Sequence, residues 1–469
     1  MSRESKLAKN TGILAIGTFL PKLASFITLP ILTGCMTKEE MGNYDLITVL
    51  VSLILPTATL QIQSAAFRFL IDIRKDEKKI KAIVSTILTF IIPVSLAALL
   101  ILFFVLPGMD PTIKLLICGY YFADILVNAV RQLARGLERN LDYSISAIVS
   151  SLFKMIFAVV FVWHLKWGLT GSVIALMGAS TLSLVVILIR SKIYRYYDPR
   201  SFSTDCLKEM LKYSWPLIPN GMSMWIMRLS DRFVVTLYMG VAVNAVYAVA
   251  NKIPSLLNLA QSTFTMAWQE NATIVSKDDD ADKYYSLMFR TMFDLVAGFL
   301  GILICATPLL FKLFIRGDYS EAYFQMPVLF IAMFFYSMSS FLGGIYVAYM
   351  KTKSIGVTTT AAAVCNLVID IALIKFIGLY AASGSTLISY MLLFVFRMID
   401  VRKMVKISYS KPHMILILAI LLTESVLCFL QKPILNVINI VFGVTVFFWL
   451  NKSLVRAVFN KGMKILKKH

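Results

Sequence analysis

Long apolar runs separated by short polar turns make up nearly the whole chain. Fourteen of these runs are long enough to cross a bilayer, because about 20 apolar residues in a helix span its hydrocarbon core. The longest intervening loop, RSKIYRYYDPRSFSTDCLKE, lies between the sixth and seventh runs and contains an expected interfacial segment. The pattern predicts an all-α integral membrane protein with about 14 spans, at residues 7–35, 42–70, 82–106, 112–136, 141–165, 168–190, 210–239, 243–270, 284–315, 321–350, 354–376, 379–401, 412–430 and 434–456.

An internal repeat groups these spans. A shift of 203 residues places the first two spans on the seventh and eighth, and aligns Tyr44 with Tyr247 within a polar stripe of helical spacing. Farther on, GLTG at 168–171 matches GLYA at 378–381. Six spans separate the copies, so both copies should share one orientation about an axis along the membrane normal. We expect two six-helix lobes, 1–195 and 205–407, then a helix pair at 412–456 and a basic tail at 457–469.

The positions of the charged residues along the chain are more informative than the net charge. The chain has a net charge of +20 and 46 lysines and arginines, but no soluble segment is long enough for a nucleic-acid-binding module. The cations cluster on alternate loops, among them 74–81, 190–200 and 402–411, whereas the loops on the other side of the membrane carry single cations at most, such as Lys38, Lys166 and Lys432. The positive-inside rule therefore predicts fourteen spans with both termini in the cytoplasm.

The seventh span carries charged residues at its middle. Arg228, Asp231 and Arg232 lie on one side of the predicted helix, because residues three and four apart are neighbours. Asp231 can neutralise only one arginine, and the remaining charge costs about 2.5 kcal/mol or more unless it faces protein or water. One interpretation is a structural Arg–Asp pair that ties helices together. The other, which we favour for Arg228, is a cationic internal cavity that holds an anion.

Other polar residues within spans extend this set. Lys22, at the middle of the first span, is expected to face the same cavity, while for Lys154 and Lys252 a cavity position and a structural pairing remain equally open. The stripe of the eighth span includes Asn251 and Asn258, side chains suited to sugar hydroxyls. Four carboxylates are expected to partner cations or to bind a coupling ion or proton: Asp124, Asp231, Asp294 and Asp370. Glu424 is expected to be structural.

Catalytic chemistry finds no support in the sequence. There is no glycine-rich phosphate loop and no HExxH motif, and no loop exceeds about twenty residues. The six cysteines are scattered without metal-ligand spacing. We therefore expect no enzyme activity, no cofactor and no metal site.

Several segments resemble a known family. SKLAKNTGILAIGTFLPKLASFITLPILTGCMTKEEMGNYD resembles the opening of Wzx-type O-antigen and capsular polysaccharide flippases of the MATE-like (MOP) superfamily. ARGLERNLDYSI, AYMKTKSIG and NLVIDIALIKFIGLYAASGST resemble its recurrent turns and the helices that follow. The resemblance implies a two-lobed flippase that moves polyprenyl-diphosphate-linked oligosaccharide outward by alternating access. It also implies that cations of the first span and of the seventh or eighth line the central cavity, here Lys22, Arg228, Arg232 and Lys252.

The same resemblance implies membrane lipids and the polysaccharide polymerase machinery as partners, and a monomer. Two other transporters remain as alternatives. A lipid II flippase is disfavoured because the first span has a single cation where such flippases carry more than one. An ion-coupled exporter of cationic drugs is disfavoured because its cavity should be acidic.

Topology is directly testable. Reporter fusions at Lys79, Arg200 and Lys468 should all read cytoplasmic, and fusions at Gly108 and Gly317 should read external, because Lys and Arg alternate between loops. If the two ends of the chain report opposite sides of the membrane, the number of spans is wrong.

Overall fold

The computed structural model describes residues 17, 20, 21, 23–106, 108–276, 278–452, 455 and 456. Regular structure in these ranges is entirely helical. The helices, numbered in chain order, are α1 Leu23–Cys35, α2 Lys38–Ala58, α3 Ile62–Asp72, α4 Glu77–Val105, α5 Pro111–Gly136, α6 Asn140–Phe157, α7 Gly168–Ser191, α8 Thr204–Ser214, α9 Leu217–Met239, α10 Val241–Lys252, α11 Leu257–Val275, α12 Ala281–Phe314, α13 Ser320–Ala348, α14 Thr352–Ile377, α15 Leu379–Val401, α16 Lys411–Phe429 and α17 Pro433–Leu450.

Eleven described helices are long and apolar enough to cross a membrane. The first, seventh and eighth predicted spans are not among them. The first is described as a helix only over Leu23–Cys35. The seventh, α9, contains three charged residues near its middle, and the eighth is interrupted at Pro254, which has no N–H for the helical ladder. The all-helical membrane fold is confirmed, and the count of fourteen stays a prediction.

The chain divides into two compact units, Met1–Trp225 and Ile226–His469. The boundary falls inside α9 and not in the loop before it. The predicted lobe limits of 195 and 205 stay a prediction.

The long loop after α7 packs against helices of the N-terminal unit. Two hydroxyls of α4 hold this loop: Ser85 Oγ accepts the Asp198 N–H at 2.9 Å, and Thr86 Oγ1 accepts the Ser203 N–H at 3.1 Å. The loop then forms α8, whose Met210 is fully buried against α3 and α4. Backbone donation from Arg200 holds the pKa of the Asp198 carboxyl below its usual value. The expected interfacial segment is thus a docked amphipathic helix.

A buried guanidinium joins three helices in the N-terminal unit. Arg131 of α5 donates from Nε to Ser146 Oγ of α6 at 3.0 Å. Its Nη2 donates to Ser183 Oγ of α7 at 2.9 Å. Hydrogen bonds that involve a charged group contribute about 1.5–3 kcal/mol each, so Arg131 ties α5, α6 and α7 together.

The C-terminal unit places a guanidinium at the corresponding position from a different helix. Arg397 of α15 donates to the Ser339 carbonyl at 2.7 Å and to Thr358 Oγ1 at 3.3 Å. An offset of 212 residues aligns Ser146 with Thr358 and Arg131 with Gly343. A Cβ at Gly343 would lie 3.0 Å from Arg397 Nη1, so the missing side chain leaves room for the guanidinium. Each unit therefore keeps one cation at this three-helix junction.

The two units also share a turn that starts a helix. Gly168, the first residue of α7, and Gly378, immediately before α15, have φ values of +49° and +57°, which favour glycine. Their surroundings differ. Glu40 of α2 packs directly against Gly168, and its Oε1 accepts the Leu169 N–H at 3.1 Å, whereas the nearest atom to a Cβ at Gly378 is Met239 Cε at 3.3 Å.

This difference predicts unequal effects of one substitution. Gly168→Ala and Gly378→Ala should each lose about 1 kcal/mol of stability through backbone strain. Gly168→Ala should lose about 1 kcal/mol more, because the new methyl displaces the Glu40 carboxylate from the Leu169 N–H. The apparent melting temperatures of the purified variants in detergent measure this, and equal losses would show that Glu40 does not stabilise the turn.

Candidate functional site

A buried carboxylate organises the C-terminal unit. Asp231 of α9 is 3% exposed. Its Oδ2 accepts hydrogen bonds from the Thr386 hydroxyl of α15 at 2.6 Å and from the Tyr247 hydroxyl of α10 at 2.9 Å. With the Asn366 amide oriented to suit its neighbours, Nδ2 donates to Asp231 Oδ1 at 2.8 Å. Residues of α10, α14 and α15 thus converge on one side chain of α9.

A second carboxylate lies beside the first. Asp370 follows Asn366 by one helical turn on α14, is fully buried and lies within electrostatic range of Asp231. Within the described part of the chain, neither of its oxygens has a hydrogen-bond partner. A buried ionised carboxylate without a partner is strongly unfavourable. The arrangement is therefore suited to a proton on Asp370 or to a cation shared by the two carboxylates.

The ligand types around this pair indicate what can bind. Carboxylate, amide and hydroxyl oxygens are ligands for a hard cation, and carboxylates at membrane depth serve as proton sites. The described residues include no group of three or more His, Cys, Asp or Glu side chains arranged to hold a metal ion. We name this set, made of Asp231, Tyr247, Asn366, Asp370 and Thr386, the carboxylate pair site.

The structural Arg–Asp pair expected on α9 is only one of the interactions of Asp231. The Arg232 charge acts on Asp231, but the hydrogen bonds that Asp231 accepts come from the neutral side chains of the site. Arg232 is 9% exposed, so a second charge is buried on the same helix. Arg228 lies within α9, one turn before Arg232, and its side chain lies outside the described part of the structure.

Residues expected to contact sugar are only partly described. Asn251 is half-buried and donates to the Tyr247 carbonyl at 2.9 Å, and Lys252 is half-buried at the end of α10. Tyr247 itself, which lies on the same polar stripe, is 2% exposed and belongs to the carboxylate pair site. Lys22 and the Asn258 side chain lie outside the described residues.

The N-terminal unit has its own polar cluster. Asp124 of α5 accepts hydrogen bonds from Asn128 Nδ2 at 2.9 Å and from Ser180 Oγ of α7 at 3.4 Å. Lys154 of α6 is half-buried within electrostatic range of Asp124 and Arg131. The Asp124 charge therefore acts on Lys154, but the described ion pairs do not include these two residues, so both interpretations of this lysine stay predictions.

Asp294 lies in a third place. Its Oδ1 is 2.7 Å from His413 Nε2 on α16, and its Oδ2 is 4.0 Å from Arg290 Nε. The Asn451 amide also donates to its backbone carbonyl at 3.4 Å. Asp294 thus contacts α16, the first helix of the C-terminal pair, and its described partners do not include the carboxylate pair site.

Sequence reasoning missed Asn366 and Thr386 as site residues. Both occur in the segment NLVIDIALIKFIGLYAASGST. The spacing of Asn366 and Asp370, four residues apart on an apolar helix, places both side chains on one face. That pair was the signal for a polar site on α14.

Comparisons with known proteins agree with this fold. Residues 7–269 match the family described as "Polysaccharide biosynthesis protein". No curated protein sequence matches the chain. The solved structure titled "Lipid II flippase MurJ, inward closed conformation" has a TM-score of 0.72 at 15% identity, over 95% of this chain and 99% of that one.

Two transporter structures are also similar. The "Inward-facing conformation of a multidrug resistance MATE family transporter of the MOP superfamily" has a TM-score of 0.67 at 15% identity, over 83% of this chain and 97% of that one. A MOP superfamily transporter from Pyrococcus furiosus, whose title refers to a binding pocket of reverse polarity, has a TM-score of 0.59 at 16% identity, over 84% of this chain and 94% of that one. These similarities show a MATE-like fold.

The two carboxylates should respond oppositely to the same substitution. Asp231→Asn should lower stability by about 1.5–3 kcal/mol, because an amide cannot accept all the hydrogen bonds that the carboxylate accepts. Asp370→Asn should leave stability unchanged or raise it, because it removes an ionisable group without a partner. Apparent melting temperatures in detergent distinguish the two variants. A large loss for Asp370→Asn would show that its carboxylate has a structural partner.

Proposed function

Because the chain belongs to the polysaccharide biosynthesis protein family, we propose that it is a flippase for polyprenyl-diphosphate-linked oligosaccharide. The substrate moves from the cytoplasmic to the outer leaflet of the bacterial inner membrane, by alternating access, for cell-surface polysaccharide synthesis. Family membership over residues 7–269 and the MATE-like fold support a multi-pass membrane transporter. The nature of the substrate and the direction of transport are proposals.

Charge on α9 is the observation that carries the substrate assignment. This helix contains Arg228 and the buried Arg232 near the middle of its length, where a charge facing lipid is costly. A diphosphate needs such donors, because charge-assisted hydrogen bonds to its oxygens are strong where water is excluded. We propose that Arg228, Lys22 and Lys252 bind the diphosphate and that Arg232 supports them.

The sugar portion requires hydroxyl and amide groups along its path. Asn251 and Asn258, on the polar stripe of the eighth span, are the residues proposed for this role. The polyprenyl chain remains in the bilayer and needs only apolar surface, so no part of the mechanism requires bond chemistry or a cofactor.

In this proposal the carboxylate pair site binds the coupling ion or proton. A cation or proton bound by Asp231 and Asp370 offsets negative charge that is otherwise costly to bury. The site includes residues of α9, α10, α14 and α15, so its occupancy can favour one arrangement of these helices over another. Asp124 and Asp294, each with described partners, are secondary candidates for the same role.

A lipid II flippase is the second candidate. The single cation of the first span, Lys22, disfavours it. Deleting the gene and identifying the lipid that accumulates separates the two candidates. A polyprenyl-diphosphate oligosaccharide supports the proposal, whereas accumulation of lipid II alone contradicts it.

Transport should depend on the shape as well as the sign of the Arg228 side chain. Arg228→Ala should lower export of the lipid-linked sugar about tenfold or more, because a charge-assisted hydrogen bond contributes about 1.5–3 kcal/mol. Arg228→Lys should retain part of the activity, since lysine supplies the charge without the bidentate geometry. The amount of lipid-linked sugar accumulated in complemented deletion cells measures this.

The matched control is Arg68→Ala, which removes an arginine whose exposed ion pair with Asp72 contributes little. All variants must reach the membrane in equal amounts. Full export by Arg228→Ala at normal abundance would reject the cationic cavity at this residue.

A further inference from the structure

A groove of about 780 Å³ opens between the start of α14 and the end of α15. Its walls combine apolar and polar side chains. Val357 and Phe396 are exposed apolar residues along it, and Met350 at one end is 87% exposed. Lys351 and Lys353 form part of the lining at the same end and are both exposed. The groove therefore joins a cationic end to an apolar wall.

The electrostatic balance of the groove is positive. Its one lining carboxylate, Asp400, is already paired with Lys403 at 2.9 Å and accepts the Tyr346 hydroxyl at 3.0 Å. Neither Lys351 nor Lys353 forms an ion pair within the described residues. The two lysines thus add positive charge that no carboxylate of the groove offsets.

A buried cation lies directly behind the wall. Arg397 is 6% exposed, and its Nε donates to the hydroxyl of Thr358, which lines the groove. Its other described hydrogen bonds go to neutral oxygens, and no ion pair of this residue occurs in the described chain. The guanidinium therefore extends the positive potential into the wall of the groove, where it is only weakly screened.

The N-terminal unit has an ion pair at the positions that align with the groove. The offsets of 212 and 210 residues align Ser354 with Asp142 and Asp400 with Arg190. Asp142 and Arg190 form an ion pair at 3.0 Å between α6 and α7. The C-terminal unit has Ser354 and Asp400 at these positions, which share a side-chain hydrogen bond in place of an ion pair.

The turn beside the groove also has an uncharged residue where the aligned turn of the N-terminal unit has one that forms an ion pair. Met350 has a φ of +55°, and Glu138 at the aligned position of the N-terminal unit has a φ of +64°. Both residues thus have a left-handed φ, but Glu138 lies 3.7 Å from Arg74 in an ion pair, whereas Met350 exposes an apolar side chain. Such a side chain beside two lysines suits the boundary between lipid headgroups and acyl chains.

From this placement we infer that the groove binds an anionic glycerophospholipid of the surrounding leaflet. Lys351 and Lys353 contact its phosphate, and one acyl chain lies along Val357 and Phe396. The ligand is a resident membrane lipid, distinct from the transported substrate.

Native mass spectrometry of the purified protein, titrated with phosphatidylglycerol or phosphatidylcholine, tests the site. Phosphatidylglycerol should bind more tightly to the wild type. Lys351→Ala/Lys353→Ala should weaken its binding roughly 30-fold, which corresponds to about 1 kcal/mol for each lysine. Ser354→Asp, which adds a negative charge to the groove, should weaken phosphatidylglycerol binding in the same direction.

The matched control is Lys75→Ala/Lys78→Ala, which removes one lysine from the turn before α4 and one from the first turn of α4. It should leave the tightest phosphatidylglycerol site unchanged. Equal weakening by the control pair would overturn the proposal, since it would indicate general surface attraction. Binding of glycerol 1-phosphate as tight as that of phosphatidylglycerol would also overturn it, because the apolar wall would then contribute nothing. None of these measurements depends on transport.

Discussion

The fold of the C-terminal unit depends on the burial of one ionisable side chain. Asp231 is nearly inaccessible, and its carboxylate would be strongly unfavourable there without hydrogen bonds. Three neutral donors from three other helices supply them, at 2.6, 2.8 and 2.9 Å. Each donor is correctly placed only when its helix packs against α9, so this interaction fixes four helices together and gives them one shared electrostatic centre.

The same constraint explains the other buried charges. Arg131 and Arg397 each reach hydroxyl oxygens of adjacent helices, and Asp124 accepts from an amide and a hydroxyl. Asp370 and Glu424 are different, because both carboxylates are fully buried and no partner is described for either. Asp370 lies beside a second carboxylate, and we propose it as an ion or proton site. Glu424 packs against Gly301 in the interface of the C-terminal helix pair with α12.

Much of the fold could be predicted from the sequence, since long apolar runs have few alternatives in a membrane. The spans that were hardest to match are those that contain candidate site residues, because charges in α9 and Pro254 after α10 break the rule on which such prediction rests. Asp231 could be identified as buried, but its partners could not. Periodicity shows which face of a helix is polar and does not show which neighbouring helix covers that face. The sequence therefore places Tyr247 on a polar stripe without indicating that its hydroxyl donates to Asp231.

The repeat illustrates the same limit. Gly168 and Gly378 at the aligned turns both have a positive φ. The guanidinium at the three-helix junction, however, comes from α5 in one unit and from α15 in the other, so a position-by-position comparison pairs Arg131 with Gly343. Evolution of a repeat can conserve the location of a charge while changing the helix that carries it, and only packing reveals this.

The central claim is that ion binding at the carboxylate pair site drives movement of a lipid-linked oligosaccharide. Purified protein in proteoliposomes, loaded with a labelled polyprenyl-diphosphate oligosaccharide, tests it most directly when a sodium or a proton gradient is imposed in either direction. The account predicts that reversing one of these gradients changes the rate at which the sugar reaches the opposite leaflet. A rate that is the same with both gradients present, reversed or absent would contradict it.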